Sequence, residues 1–184
     1  MNYYGGKELA ASARTVRKNT LAVAQDIPED KYSFRPAPEM RSVVELLSHI
    51  ALSFNFQYQI HAKEKRTNLA GFDFPSLMQR LVAEEKTPRS KEQTIELLRA
   101  NGEIWAGWVE GLDENFLAES IEMPPRGTPP TRTRFDMILS VKEHEMHHRG
   151  QLMVIERIIG IVPHLTRAMH ARFAAAAAKD SSAS

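Results

Sequence analysis

Leu9, Ala13, Val16, Thr20, Val23 and Ile27 follow one another at intervals of four, three, four, three and four residues. That is the period of an α-helix that buries a single stripe. The pattern returns through Val43, Leu47, Ile50, Phe54 and Tyr58, through Ile95, Leu98, Trp105 and Val109, and around Met137, Val141 and Ile155. No convincing run of alternating β-branched residues accompanies it. Four long amphipathic segments without strands predict an all-α fold, an antiparallel four-helix bundle with at least one long connection.

Punctuation along the chain sets the boundaries. The first helix spans Gly6 to Asp26, and Pro28, Pro36 and Pro38 make residues 28–40 a connector. Ser42 and Glu45 match a capping box that opens a second helix, running to about Lys65 and closed by Asn68 and Gly71. A short helix after Pro75 is expected to bury Leu77, Met78, Leu81 and Val82. Ser90 and Gln93 form a second capping box for a third long helix, with Gly111 as a left-handed stop and at least one of Trp105 and Trp108 in the core. Five Pro and Gly residues between Ala118 and Thr131 predict a long surface loop. Thr131 or Thr133 then caps a fourth helix that ends near Ile159, with Gly160 as its stop. Residues 1–165 are expected to form the bundle, and residues 166–184, with alanines at 174–178, a tail that is partly helical or disordered.

Composition narrows the chemistry. The 184 residues include no cysteine, which excludes disulfides, Fe–S clusters and a cysteine nucleophile, and leaves only nitrogen and oxygen donors for a metal. Lysine plus arginine (24) nearly equals aspartate plus glutamate (23). No global field therefore draws the chain to nucleic acid or to anionic membrane. No stretch approaches the roughly 18 consecutive apolar residues of a membrane span, and residues 1–19 lack the apolar region of a secretory signal. The expected compartment is the cytoplasm, and the expected partner a small molecule.

The seven histidines are unevenly placed. Three fall in Glu143-His144-Glu145-Met146-His147-His148-Arg149-Gly150-Gln151. His144 and His148 are four apart, so their imidazoles share one helix face and can share one metal ion. They interrupt an apolar stripe, where an unpartnered polar group costs on the order of 1–3 kcal/mol. His49, in the mostly apolar segment around Leu46, Leu47 and Ile50, is a candidate third ligand. His147 points roughly 100° away from His148 and is expected at the surface or behind the ligands. Glu45, one turn before His49, is a candidate to orient it, or acts only as a cap. Arg149 is a candidate for an anionic substrate or for a surface ion pair. Gln151 lies in line with His144 and either touches substrate or water, or packs between helices. His61, His164 and His170 are expected at the surface.

Three metal-site templates apply. His144-Glu145-Met146-His147-His148 formally satisfies H-E-x-x-H, with Glu145 as general base, but Gln151 and Val154 stand where the extended form needs Gly and His, and no strand is expected to hold a peptide. A di-iron site needs two Glu-x-x-His pairs; Glu145 and His148 supply only one. The third template is a family. The His-x-x-x-His-Arg-Gly-Gln-Leu string at residues 144–152, the Glu-Leu-Leu-Ser-His segment ending at His49 and the connector Tyr32-Ser33-Phe34-Arg35-Pro36-Ala37-Pro38 resemble the DinB/YfiT-like superfamily. The resemblance implies a four-helix bundle in an up-down-down-up or right-handed arrangement, often a homodimer. It implies His49, His144 and His148 as ligands of a divalent ion such as zinc or nickel, with open positions for water or substrate. Related members are metal-dependent S-transferases of low-molecular-weight thiols such as bacillithiol or mycothiol. The resulting expectation is a thiol transferase, with a metal-dependent hydrolase or a non-catalytic binding bundle as alternatives.

Overall fold

The computed structural model describes residues 4–182, with side chains to position 179. Four long helices make the bundle: α1 (Gly6–Asp26), α2 (Val43–Tyr58), α4 (Lys91–Glu110) and α6 (Arg134–Ile158). The short α3 (Phe74–Glu85) and α5 (Glu114–Ala118) lie in the connections, and α7 (His164–Ser182) follows the bundle. Both capping boxes form: the Glu45 and Gln93 backbone N–H groups donate to Ser42 and Ser90 Oγ, and the Ser42 and Ser90 N–H groups donate back to the Glu45 and Gln93 side chains. Thr133, rather than Thr131, caps α6.

Around the bundle the order is α1, α4, α2, α6, so helices consecutive in the chain (α1 and α2, α4 and α6) face each other across the diagonal. Lys91, at the start of α4, donates to the carbonyls of Gln25 and Ile27 at the end of α1, which makes that pair antiparallel. Phe54 beside Trp105 and Tyr58 beside Trp108 make α2 and α4 parallel. Tyr4 beside Phe135 and Arg17 beside Glu145 make α1 and α6 parallel as well. The direction pattern is therefore up-down-down-up, and two of the four adjacent pairs are parallel rather than antiparallel. A parallel pair requires a return path, and the segment carrying α3 supplies it between α2 and α4.

The polar heart of the bundle is a buried ion pair. Glu145 of α6 accepts two bonds from Arg17 of α1, both at 2.9 Å, and one from Thr20 at 2.7 Å. Arg17 also donates to the Leu98 carbonyl of α4. Gly102 leaves room for this guanidinium, since a Cβ there would sit 2.9 Å from Arg17 Cγ.

Several expectations are corrected. The segment read as a loop contains a two-stranded antiparallel sheet, β1 (Ser120–Glu122) and β2 (Thr131–Thr133), with Ser120 opposite Thr133. Ile121 anchors it, fully buried, but three-residue strands are too short for a period of two to be read. The second helix passes at Gln59–Lys63 into a π-helical turn instead of continuing as an α-helix to Lys65. On α3, Leu77 is buried and Leu81 partly so, whereas Met78 and Val82 are exposed. This helix packs one face on α2 from outside the bundle, and those two lie one residue round from that face. Gly111 keeps a right-handed φ of −84° because its N–H still bonds back to Trp108 and Val109; the left-handed stop is Gly160, at φ +86°. His61 is fully buried, and His164 is half-buried against Asn19. The chain from His164 to Ser182, polar end included, is helical; positions 183–184 lie outside the described residues.

Glu156, near the end of α6, is fully buried, and neither carboxylate oxygen has a hydrogen-bond partner among the described residues. Burial, reinforced by Asp26, raises its pKa from 4.5 to about 7. The folded chain therefore holds this proton more tightly than the unfolded chain. The stabilisation is complete below about pH 4.5 and is lost as pH rises through 7. Glu156→Gln is expected to raise Tm by on the order of 5 °C at pH 8 and by little at pH 5, measured by thermal denaturation.

Candidate metal centre

His49 projects from α2, and His144 and His148 project one turn apart from α6, where the two helices run in opposite directions. Their Nε2 atoms converge: His144 Nε2 lies 3.1 Å from that of His49 and 3.1 Å from that of His148. One nitrogen from each of the three lies within 4.8 Å of the other two.

Hydrogen bonds at the opposite ring nitrogens fix two of the imidazoles. Glu85, at the end of α3, sits 2.5 Å from His49 Nδ1. A carboxylate only accepts, so Nδ1 carries a proton and Nε2, which faces the centre, is the nitrogen that can ligate. Arg41 Nε, 3.1 Å from the other Glu85 oxygen, holds that carboxylate in turn. Burial pushes the Glu85 carboxyl up, but His49 and Arg41 outweigh it and leave its pKa below the usual carboxylate value. On α6, Gln151 Oε1 accepts from His148 Nδ1 at 2.8 Å, which likewise turns the His148 Nε2 lone pair inward. Such outer partners are the usual means of orienting histidine ligands.

His144 has no such partner. Its Nδ1 is buried and unbonded, and its only hydrogen-bond-distance contacts among the described residues are to the other two imidazoles. Burial, and then His148, His49, His147 and Arg41, lower its pKa to about 4. Burial also lowers that of His148, against the opposing effect of the Gln151 hydrogen bond. Converging neutral nitrogen donors, two of them locked in the ligating tautomer and the third without another polar contact, fit a divalent cation.

The remaining sequence candidates fall elsewhere. Glu45 is engaged at its cap and pairs with Arg35 at 2.8 Å; the carboxylate at His49 is Glu85. Arg149 reaches across to α1 and donates to the Val16 carbonyl at 3.3 Å. Gln151 serves His148 and also bonds the exposed His147 at 3.2 Å. Glu145 is turned to Arg17 and Thr20, away from the histidines, so the base that the H-E-x-x-H pattern requires is absent from the site. Sequence reasoning missed Glu85 and Arg41. Glu85 is the middle residue of a charged Glu84-Glu85-Lys86 run that looks solvated, and only the docking of α3 on α2 buries it.

A cavity of about 200 Å³ opens beside His49 and His144, its apolar walls formed by Leu52, Phe56, Met78, Leu81 and Val141. The model of the DinB superfamily matches residues 13–152, which include all three histidines. The chain belongs to the DinB superfamily. It is similar to YjoA of Bacillus subtilis strain 168, an uncharacterized protein, with 27% identity over 144 residues, covering 78% of this chain and 84% of YjoA. The crystal structure of the DinB-like YjoA superimposes with a TM-score of 0.61 at 25% identity, covering 83% of this chain and 92% of that one. The DinB-like bundle and its three-histidine group are thus features of the structure, and the group is compatible with metal binding.

If Glu85 orients His49, its acceptor oxygen matters more than its charge. Glu85→Ala is expected to weaken zinc affinity by about 10- to 100-fold and Glu85→Gln by clearly less, in competition with a chromogenic chelator. Equal affinities for wild type and Glu85→Ala would refute this role.

Proposed function

We propose that this DinB protein is a metal-dependent transferase that joins a low-molecular-weight thiol to an electrophile, with His49, His144 and His148 holding zinc or nickel. The observation that carries the reading is the set of three inward imidazole nitrogens at the wall of a mostly apolar cavity. Three imidazole ligands carry no negative charge, so a divalent ion held by them would keep its charge for a substrate atom that reaches it. An ion bound there supplies Lewis acidity, which favours the anionic form of a thiol or water that reaches it.

The chain's own groups favour a thiol over water. Glu85 is taken up by His49 and Arg41, and Glu145 by Arg17 and Thr20. Ser53 and Ser140 donate their hydroxyl protons to the carbonyls of Ile50 and Met137. Among the described residues, Glu85 is the one carboxylate of the cavity wall, and each of its oxygens already accepts a hydrogen bond. A thiol ionises near pH 8.5 and needs little help, whereas water starts from 15.7. Because the chain has no cysteine, the sulfur arrives with the substrate. In the reaction a sulfur–carbon bond forms at the electrophile, the leaving group departs with its electron pair, and the thiol proton passes to solvent. The apolar walls suit the hydrocarbon part of either reactant and keep water away from the nucleophile.

The test is a panel of thiols, including cysteine, N-acetylcysteine and bacillithiol, each with 1-chloro-2,4-dinitrobenzene, on zinc- and nickel-loaded protein. Turnover with at least one thiol is expected, falling by about 100-fold or more after chelation and in His49→Ala. A rate indifferent to metal, or no turnover by fully loaded protein with any thiol, would refute the transferase and favour a non-catalytic bundle.

A further inference from the structure

The cavity wall carries one hydrogen-bond donor that the metal centre does not use. His49, Ser53, Gln57 and His61 succeed one another at four-residue intervals along α2 and its π-helical extension. The first three line the cavity. His61 lies behind them, fully buried, with Arg134 of α6 against it. Arg134 Nη1 lies 2.8 Å from His61 Nδ1, and His61 Nε2 lies 3.1 Å from Gln57 Oε1.

These contacts allow one assignment of protons. A guanidinium only donates, so His61 Nδ1 accepts and the ring proton sits on Nε2. That proton is donated to Gln57, so the group facing it is the carboxamide oxygen; the reverse orientation would set two donors against each other. Burial and the adjacent Arg134 lower the His61 pKa to about 3, which keeps the ring neutral and the arrangement fixed. Arg134 is itself fixed by Glu119, at 2.5 Å, and by the Phe116 ring, whose centroid lies 4.5 Å from its guanidinium. Among the described residues the Gln57 side chain is bonded only through its oxygen, which leaves its NH2 free at the cavity wall. The other polar groups of the wall offer lone pairs: the inward Nε2 atoms of the histidines, the Glu85 carboxylate, and the two serine hydroxyls whose protons are already bonded to main chain.

We infer that Gln57 is the specificity-determining residue of the cavity, its amide N–H donating to a carbonyl oxygen of the substrate, with Arg134 and His61 as positioning residues. The inference rests on the thiol reading above and names the kind of thiol: one that carries a neutral carbonyl, such as an amide, on an otherwise apolar stem. A neutral donor with no free cation beside it suits a carbonyl better than a carboxylate. Gln57 follows His49 by eight residues, roughly 12 Å along the helix axis, so the sulfur and the carbonyl stand well apart in the ligand.

The test uses cobalt-loaded protein and two probe series of graded chain length, ω-mercaptoalkanamides and the methyl-ended alkanethiols of equal length, with binding followed by the cobalt–thiolate absorption. At the best length the amide is expected to bind about tenfold more tightly than its methyl-ended counterpart. Gln57→Leu should abolish that preference, so that the amide no longer binds more tightly than the alkanethiol of equal length. His61→Leu should reduce it in the same selective way, because the carboxamide loses its anchor. In zinc-loaded wild-type protein the Gln57 side-chain amide NMR resonance should move with the amide probe and stay in place with the alkanethiol, a readout that needs no variant. Equal affinities of the two series, or an unmoved resonance while thiolate absorption is present, would overturn the role of Gln57. Absence of thiolate absorption with every probe would instead overturn the thiol reading on which it rests.

Discussion

Three imidazole lone pairs aimed at one point repel one another unless a proton or a cation stands between them. That constraint organises the site. His49 and His148 are turned inward by hydrogen bonds that their far nitrogens donate to Glu85 and Gln151, and among the described residues the ring nitrogens of His144 contact only the other two rings. Because burial depresses the basicity of His144 and His148, a proton is a poor occupant at neutral pH. A divalent cation suits the donors better, since it can accept three lone pairs at once where a proton serves at most two.

The bundle supplies the rigidity that such convergence needs. α2 and α6 are adjacent and antiparallel, so one residue on the first meets an i, i+4 pair on the second. The position of α6 against α1 is fixed by the buried Arg17–Glu145–Thr20 network, whose members all point away from the histidines. Within eight residues, His144 to Gln151, α6 therefore serves two unlike purposes. Glu145 and Arg149 tie it to α1, while His144, His148 and Gln151 form the centre on another face. The same division explains why a formal H-E-x-x-H pattern lacks its usual chemistry here: the glutamate faces the neighbouring helix.

Much of this was legible in the chain itself. The four-three spacing of apolar residues marks the long helices, Ser42 with Glu45 and Ser90 with Gln93 mark two starts, and the 144/148 spacing marks a shared face. What escaped depends on tertiary docking. Glu85 looks like part of a solvated charge run until α3 folds onto α2. His61 looks like a helix-end surface residue until a π-helical turn and Arg134 enclose it. The β1–β2 hairpin is held by a single buried residue, Ile121, in strands of three residues, too little for periodicity to register. The up-down-down-up order cannot be read from the stripes, which look alike from one chain position to the next; the resemblance to the DinB/YfiT-like superfamily implies it, with a right-handed arrangement as the alternative.

The metal reading requires that His49, His144 and His148 jointly hold one divalent ion. Crystals of zinc- or nickel-loaded protein, with diffraction data collected above and below the metal's absorption edge, test it directly. A single anomalous peak per chain is expected, bounded by the Nε2 atoms of these three residues, with Nδ1 of His49 still bonded to Glu85. A peak at any other group of side chains, or none after loading with an equimolar ion, would contradict it.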